Sequence, residues 1–301
     1  MKLAAIDIGS NAARLLITEV IEQDHDEPAF NKLNLFRIPI RLGFDVFETG
    51  YISEEKTYML IQTLKAFRHL INAYQIDTIK ACATSAMRDA KNSKQILSVI
   101  KKETGLDVEV ISGDMEANLI YENHIAEHLE KDKTYMYIDV GGGSTEISVF
   151  GNNSLLFKKS YNIGTIRLLK GLVPESIWEE MKDEIRLGTK NLKDVIAIGS
   201  GGNINKIFSM SKRKEGKPLY IETLKDYFKE LSACSIEQRK TLYGLRDDRA
   251  DVIVPALQIY LHAMKAAGSE EMYVPKIGLA DGLIHHLWDE IQHSTSSGLR
   301  V

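Results

Sequence analysis

The sequence predicts an α/β protein made of two copies of one unit, each ordered βββαβαβα, with a cleft between the copies. Three observations predict it. Each half opens with three β-like runs before strands and helices alternate. A segment near the start, AAIDIGSNAARLLI, recurs as MYIDVGGGSTEISV, with an apolar run, an aspartate, a glycine turn and a second apolar run in register, so that Asp7 matches Asp139. A chain of 301 residues, 44% hydrophobic, is also long enough to bury two cores. Domains are expected over residues 1–122 and 123–278, with a terminal helix over about 279–293 that packs back on the first.

The elements follow from period and punctuation. Residues 3–8, 14–20 and 33–42 read as strands separated by turn-rich pieces, and three strands in succession imply an antiparallel start. Residues 54–74 place Leu60, Leu64, Phe67 and Ile71 at helical spacing, and a strand over 78–83 follows. A helix over 91–104, a strand over 107–111 and a helix from 114 to about 129 close the first copy. In the second, strands over 135–139, 146–150 and 154–161 lead to helices spanning 165–187, then to a strand over 195–198 and a helix from 203. Helices over 222–242 and 250–267, a strand over 271–274 and a helix over 279–291 complete it, and the polar tail from 293 is expected to fray.

A formal net charge of −4 leaves no basic field to attract nucleic acid or an anionic membrane, so an anionic ligand must be held by local groups. No run of about 18 apolar residues and no basic-then-apolar leader is present, so neither a membrane span nor a secretory signal is expected. Cys82 and Cys234 stand far apart without a CxxC, which fits packing residues in a reducing cytoplasm.

Three glycine loops can present backbone N–H groups to a phosphate without an intervening Cβ. Gly9, Ser10 and Asn11 form one, and Gly141, Gly142, Gly143, Ser144 and Thr145 a second. Gly199, Ser200, Gly201 and Gly202 form the third, which adds a helix N-terminus. A hairpin turn is the plainer reading of any one of them, and none is a Walker A loop. Asp139 before the triple glycine and Glu146 on the return strand can converge on one Mg²⁺, which takes one or two carboxylates and completes its shell with water and phosphate oxygens. Spacing alone equally allows a turn-capping aspartate and a solvated glutamate. Arg14, Arg88 and Arg249 are candidates for bidentate phosphate contact, each otherwise a surface residue. Glu116, in the first turn of its helix and on the face of Leu119 and Ile120, can activate water, or can simply answer the helix dipole.

One rival pattern exists. His124, Glu127 and His128 spell HxxEH, the inverted zinc-protease motif, but in a strongly charged context with no evident third ligand. His285 and His286 are neighbours on a helix and point apart, as structural or exposed residues.

Taken in order, AIDIGSNAARLLI, RLGFDVFETG, ATSAMRDAKN, VISGDMEANLIY, YIDVGGGSTEIS, AIGSGGNINKI, RADVIVPA and GLADGLI resemble the exopolyphosphatase/guanosine pentaphosphate phosphohydrolase (Ppx/GppA) family nearly end to end. ISGxxEA with IDxGGGSTE is specific to that family; the bare loops are not. The resemblance implies a pair of ribonuclease H-like domains of the kind found in actin, sugar kinases and Hsp70. It implies Glu116 as catalytic base, Asp139 and Glu146 as magnesium carboxylates, and phosphate contacts from Arg14, Arg88 and Arg249. The reaction it implies is in-line attack of a Glu116-oriented water on the terminal phosphorus of polyphosphate or guanosine pentaphosphate, in a cytoplasmic homodimer. Three positions depart from the family pattern. Ala12 replaces a common Ser or Thr, Met115 a frequent acidic neighbour of the base, and Ala280 a frequent basic residue, which bears on substrate preference and turnover. The length leaves no room for the additional C-terminal helical domain of longer members, which favours shorter substrates. Two other functions fit the same fold group: an ATP-dependent kinase or ATPase, and a non-catalytic sensor of polyphosphate or an alarmone. Against the kinase stand the ISGxxEA glutamate and the lack of a recognisable sugar site.

Overall fold

The computed structural model describes residues 1–23, 26–121, 133–151, 154–275 and 277–296. The chain divides into two compact units, one of Met1–His124 with Gly278–Val301 and the other of Ile125–Ile277.

In the first unit, β1 (Lys2–Ile8), β2 (Ala12–Gln23) and β3 (Asp26–Pro39) form an antiparallel meander, and β4 (Thr78–Ala83) and β5 (Glu109–Val110) extend it in parallel, giving the order β3-β2-β1-β4-β5. Central β1 is almost wholly apolar and buried, as a strand covered on both faces must be. Helix α2 (Glu54–Ala73) lays Leu60, Leu64, Phe67 and Ile71 into the core, and the Ser53 side chain caps it by accepting from the Lys56 amide. Helices α3 (Ser85–Asp89), α4 (Ser93–Thr104) and α5 (Gly113–Tyr121) follow the parallel strands, and α13 (Leu279–Ser296) packs on β1, β2, β4 and α5.

The third strand ends earlier than its apolar run predicts. The Asn11 carbonyl accepts from the Ile40 and Arg41 amides, Arg41 turns the chain at φ 63°, and α1 (Leu42–Thr49) begins at once. A local hydrogen bond across the sheet thus ends β3 where hydrophobicity alone would continue it. The tail also departs from expectation, since α13 stays helical past His293 to Ser296.

The second unit repeats the plan. Strands β6 (Thr134–Val140), β7 (Thr145–Gly151) and β8 (Ser154–Tyr161) form the meander, with β9 (Val195–Ser200) and β11 (Glu271–Tyr273) parallel to β6, and short β10 (Leu219–Tyr220) on the far edge. The order β10-β11-β9-β6-β7-β8 contains the five-strand order of the first unit, so the duplication read from sequence is present in the sheets. The three helical stretches expected here resolve into separate pieces. The 165–187 stretch splits into α6 (Thr165–Leu169) and α7 (Glu175–Thr189) around Gly171 and Pro174. The 222–242 stretch splits into α9 (Ile221–Ala233) and α10 (Ile236–Tyr243), where Ser235 and Gln238 make a capping box. The 250–267 stretch begins as the single turn α11 (Asp247–Ala250) and resumes as α12 (Ile253–Ala267). Helix α8 (Gly202–Met210) follows β9 directly. No described helix is long and apolar enough to cross a membrane.

Candidate active site

In the first unit, the turn between β1 and β2 closes with the Gly9 amide on the Ala12 carbonyl at 3.0 Å. Its backbone is clamped from α1, where Gly43 donates to the Ser10 carbonyl at 2.9 Å, and from α3, where the Ser10 and Ser85 hydroxyls meet at 2.8 Å. Just past the turn, Arg14 donates to Asp7, its register partner across β1 and β2. Arg88, in the last turn of α3, donates to the Ile111 carbonyl at 2.9 Å, which ties α3 to the end of β5.

Glu116 sits in the first turn of α5, capped by the Ser112 hydroxyl accepting from the Met115 amide at 3.1 Å. The Glu116 side is the buried one, and it is a carboxylate at 7% exposure, unlike a solvated glutamate that merely answers the dipole. Beside it lies Cys82, in parallel register with Asp7. Burial first, then the Asp7 and Glu116 carboxylates, push the Cys82 thiol well above its ordinary value, which keeps it a neutral packing residue. The first unit thus gathers Asp7 and Glu116 around one inert thiol.

In the second unit, Asp139 and Glu146 stand directly opposite each other on β6 and β7. Opposed residues of an antiparallel pair project to the same face, with Cβ atoms about 5 Å apart. Glu146 is buried, and its Oε1 accepts from the Ser160 hydroxyl at 2.8 Å, so its orientation is fixed from β8. Ser200 is the parallel register partner of Asp139 on the other side. Two buried or half-buried carboxylates facing one another repel unless a cation sits with them, and an all-oxygen pair fits a hard divalent ion.

In the turn between those strands, residues 141–144, three carbonyls are committed to α6. Gly141 accepts from Thr165 at 3.0 Å, Gly142 from Ile166 at 2.8 Å, and Gly143 from Arg167 Nε at 2.7 Å. A trans peptide points its N–H opposite its C=O, so fixing those three carbonyls turns the amides of Gly142, Gly143 and Ser144 to the other side. Three amides on one side of a turn make an anion-binding concavity. Gly164 allows this contact, because a Cβ there would overlap the Gly142 carbonyl oxygen and the Gly143 backbone.

The third loop joins β9 to α8. Gly201 takes φ 114°, open to glycine alone, and Arg249 from α11 donates through Nη1 to the Gly202 carbonyl at 2.5 Å. Arg249 therefore lies on the loop and at the start of a helix whose N-terminus favours an anion.

Sequence reasoning missed Gly164, Arg167 and Tyr260, whose hydroxyl donates to the Ser200 carbonyl of the third loop. None carried a signal, since a lone glycine, a surface-type arginine and a tyrosine on an apolar helix look structural. Of the remaining histidines, His285 stacks on Phe30 with ring centroids 4.0 Å apart, and His286 lies 3.2 Å from Glu290. The HxxEH residues His124, Glu127 and His128 lie outside the described residues.

Comparison with known proteins places the chain in a family. A model of the Ppx/GppA phosphatase family matches residues 22–290. The bifunctional 3-dehydroquinate synthase/phosphatase of Fusobacterium nucleatum is 29% identical over 83% of this chain, which spans only 41% of that protein. Exopolyphosphatase 1 of Mycobacterium tuberculosis is 24% identical over 94% of this chain and 87% of its own length. The guanosine-5'-triphosphate,3'-diphosphate pyrophosphatase of Pseudoalteromonas translucida is 26% identical over 97% of this chain and 60% of its own length. Among solved structures, an exopolyphosphatase from Cytophaga hutchinsonii superposes with a TM-score of 0.83 at 26% identity, covering 96% of this chain and 98% of that one.

Proposed function

Because the chain belongs to the Ppx/GppA phosphatase family, we propose that it is a hydrolase of phosphoric anhydrides that releases the terminal phosphate of inorganic polyphosphate or guanosine pentaphosphate with Mg²⁺. The relatives named for exopolyphosphatase and for guanosine-5'-triphosphate,3'-diphosphate hydrolysis support the substrate class. The observation that carries the reading is the Asp139–Glu146 pair, opposed in register beside a turn whose amides face away from its fixed carbonyls.

The donor set supports a hard cation, since Asp139 and Glu146 both offer carboxylate oxygens. Asp139 and Glu146 would hold Mg²⁺, which when bound offsets the charge of the phosphate oxygens. The chain's own groups do the rest. Amides of Gly142, Gly143 and Ser144, the α8 N-terminus behind Gly201 and Gly202, and the turn at Gly9, Ser10 and Asn11 receive phosphate oxygens. Arg14, Arg88 and Arg249 add charge-assisted hydrogen bonds at the same phosphates. Glu116 is the proposed base: it orients the attacking water and accepts its proton as the bond to the terminal phosphorus forms and the bridging P–O bond on the opposite side breaks, the shortened polyphosphate or nucleotide leaving with that oxygen. A homodimer and a cytoplasmic location belong to the same reading and are checked by sedimentation and by cell fractionation.

The test is a panel of long polyphosphate, tripolyphosphate, guanosine pentaphosphate and ATP, with and without Mg²⁺, reading released phosphate, and with Glu116→Gln as control. Release from the first three that needs Mg²⁺ and collapses in the variant is expected. ATP turnover that requires an acceptor would point to a kinase, tight binding without release to a sensor, and equal release by wild type and variant would remove Glu116 from its role.

A further inference from the structure

We propose that Tyr260 is a positioning residue for this reaction: its hydroxyl holds the third glycine loop, which packs against the end of β6 that carries Asp139. The inference rests on the phosphohydrolase reading above.

Tyr260 is 1% exposed on α12, packed in the second unit's core. A phenylalanine would fill the same space, so the hydroxyl is there for its polar contacts, and a buried hydroxyl without them is costly. It donates to the Ser200 carbonyl, one residue before the Gly201 turn. Ser200 is in turn the β9 register partner of Asp139 on β6. The turn itself is packed against the same groups. A Cβ on Gly201 would meet the Val140 carbonyl oxygen at 3.1 Å, Tyr260 Oη at 3.3 Å and Asp139 Oδ1 at 3.5 Å.

Asp139, the Gly201 turn and the tyrosine hydroxyl are therefore mutual neighbours. The consequence is geometric. The distance between the Asp139 carboxylate and the α8 N-terminus, which the reading has act on the same phosphates, is set partly by a hydroxyl that touches neither ligand nor metal.

The experiment uses Tyr260→Phe in the full chain and reads two quantities. One is Mn²⁺ binding without substrate, by titration calorimetry; the other is kcat and KM for tripolyphosphate across a Mg²⁺ series. Positioning predicts that Mn²⁺ affinity and kcat each fall about tenfold, the scale of one lost hydrogen bond, with KM nearly unchanged. A variant that only melts earlier, while its folded fraction keeps wild-type Mn²⁺ affinity and kcat, overturns the inference. Should Phe fold poorly, Tyr260→Met is read by the same two quantities. Tyr260-dependent Mn²⁺ binding in a wild type that releases no phosphate from any substrate would sink the phosphohydrolase reading and leave the positioning of Asp139 standing.

Discussion

Arg14 donates to Asp7 from the strand position that Glu146 occupies opposite Asp139 in the second copy. The two halves share the aspartate and differ in what faces it. In the first unit the opposing guanidinium supplies the positive charge from within the protein. In the second, a carboxylate stands there, an arrangement that a hard cation fits. One substitution between duplicated strands thus separates a self-neutralised turn from a candidate metal site.

The Asp7 side chain is 2% exposed, so removing Arg14 strands a buried charge. Arg14→Met is expected to cost about 3 kcal/mol, toward the lower end for broken buried pairs because Arg14 itself is partly exposed. Adding Asp7→Asn should restore most of that loss. Urea unfolding of the two single variants and the double variant checks it, and additive losses would show that the pair is not coupled.

Across β6 and β7 the sign reverses. Glu146→Gln removes a like charge facing Asp139, so without metal the variant should be at least as stable as wild type while losing its activity. Mg²⁺ at about 100 times its Kd should raise wild-type stability by about 2.7 kcal/mol and leave the variant unmoved. Thermal melts with Mg²⁺ and with chelator decide this.

Gly164→Ala should displace the 141–143 turn, since the new methyl has no room beside Gly142 and Gly143. A shift of about 1 Å in groups that position a substrate can cost about a hundredfold in rate. Phosphate release should fall on that scale, far more than melting temperature does. An active Gly164→Ala enzyme would show that the turn does not hold substrate.

Lys159 bridges Glu180 and Glu184 at 2.6 Å each, and Tyr161 donates to Glu184 at 2.8 Å, tying α7 to β8. Burial alone raises the Glu184 carboxyl, but the hydrogen bonds from Lys159 and Tyr161 outweigh it and hold the group below its ordinary value. A carboxyl lowered by folding contributes its stability above the unfolded pKa of about 4.3 and loses it as pH falls through the folded value. Glu184→Gln should melt about 2–4 °C below wild type at neutral pH, and the gap should close in acid. A gap that persists at low pH would assign the effect to packing.

Strands with one apolar pattern, such as residues 3–8, and helices with a clear stripe, such as that of Leu60, Leu64, Phe67 and Ile71, were legible because burial imposes their period. Helix breaks at Gly171, Pro174 and Ser235 were harder to place. Apolar spacing continues across such points, and only caps and turns show where the axis changes.

By itself, the sequence determined the duplicated strand-turn-strand units and the three glycine loops, because these are local patterns of residue type and spacing, while Glu116, Asp139 and Glu146 stood out from their plainer readings only through the family resemblance. Tertiary structure decided which groups face one another. Arg14 meets Asp7, α6 turns the amides of the 141–144 turn by engaging its carbonyls, and Tyr260 reaches the Ser200 carbonyl from a helix far along the chain. Register and packing bring together residues whose separation in sequence carries no period, so no reading of one strand or helix alone contains them.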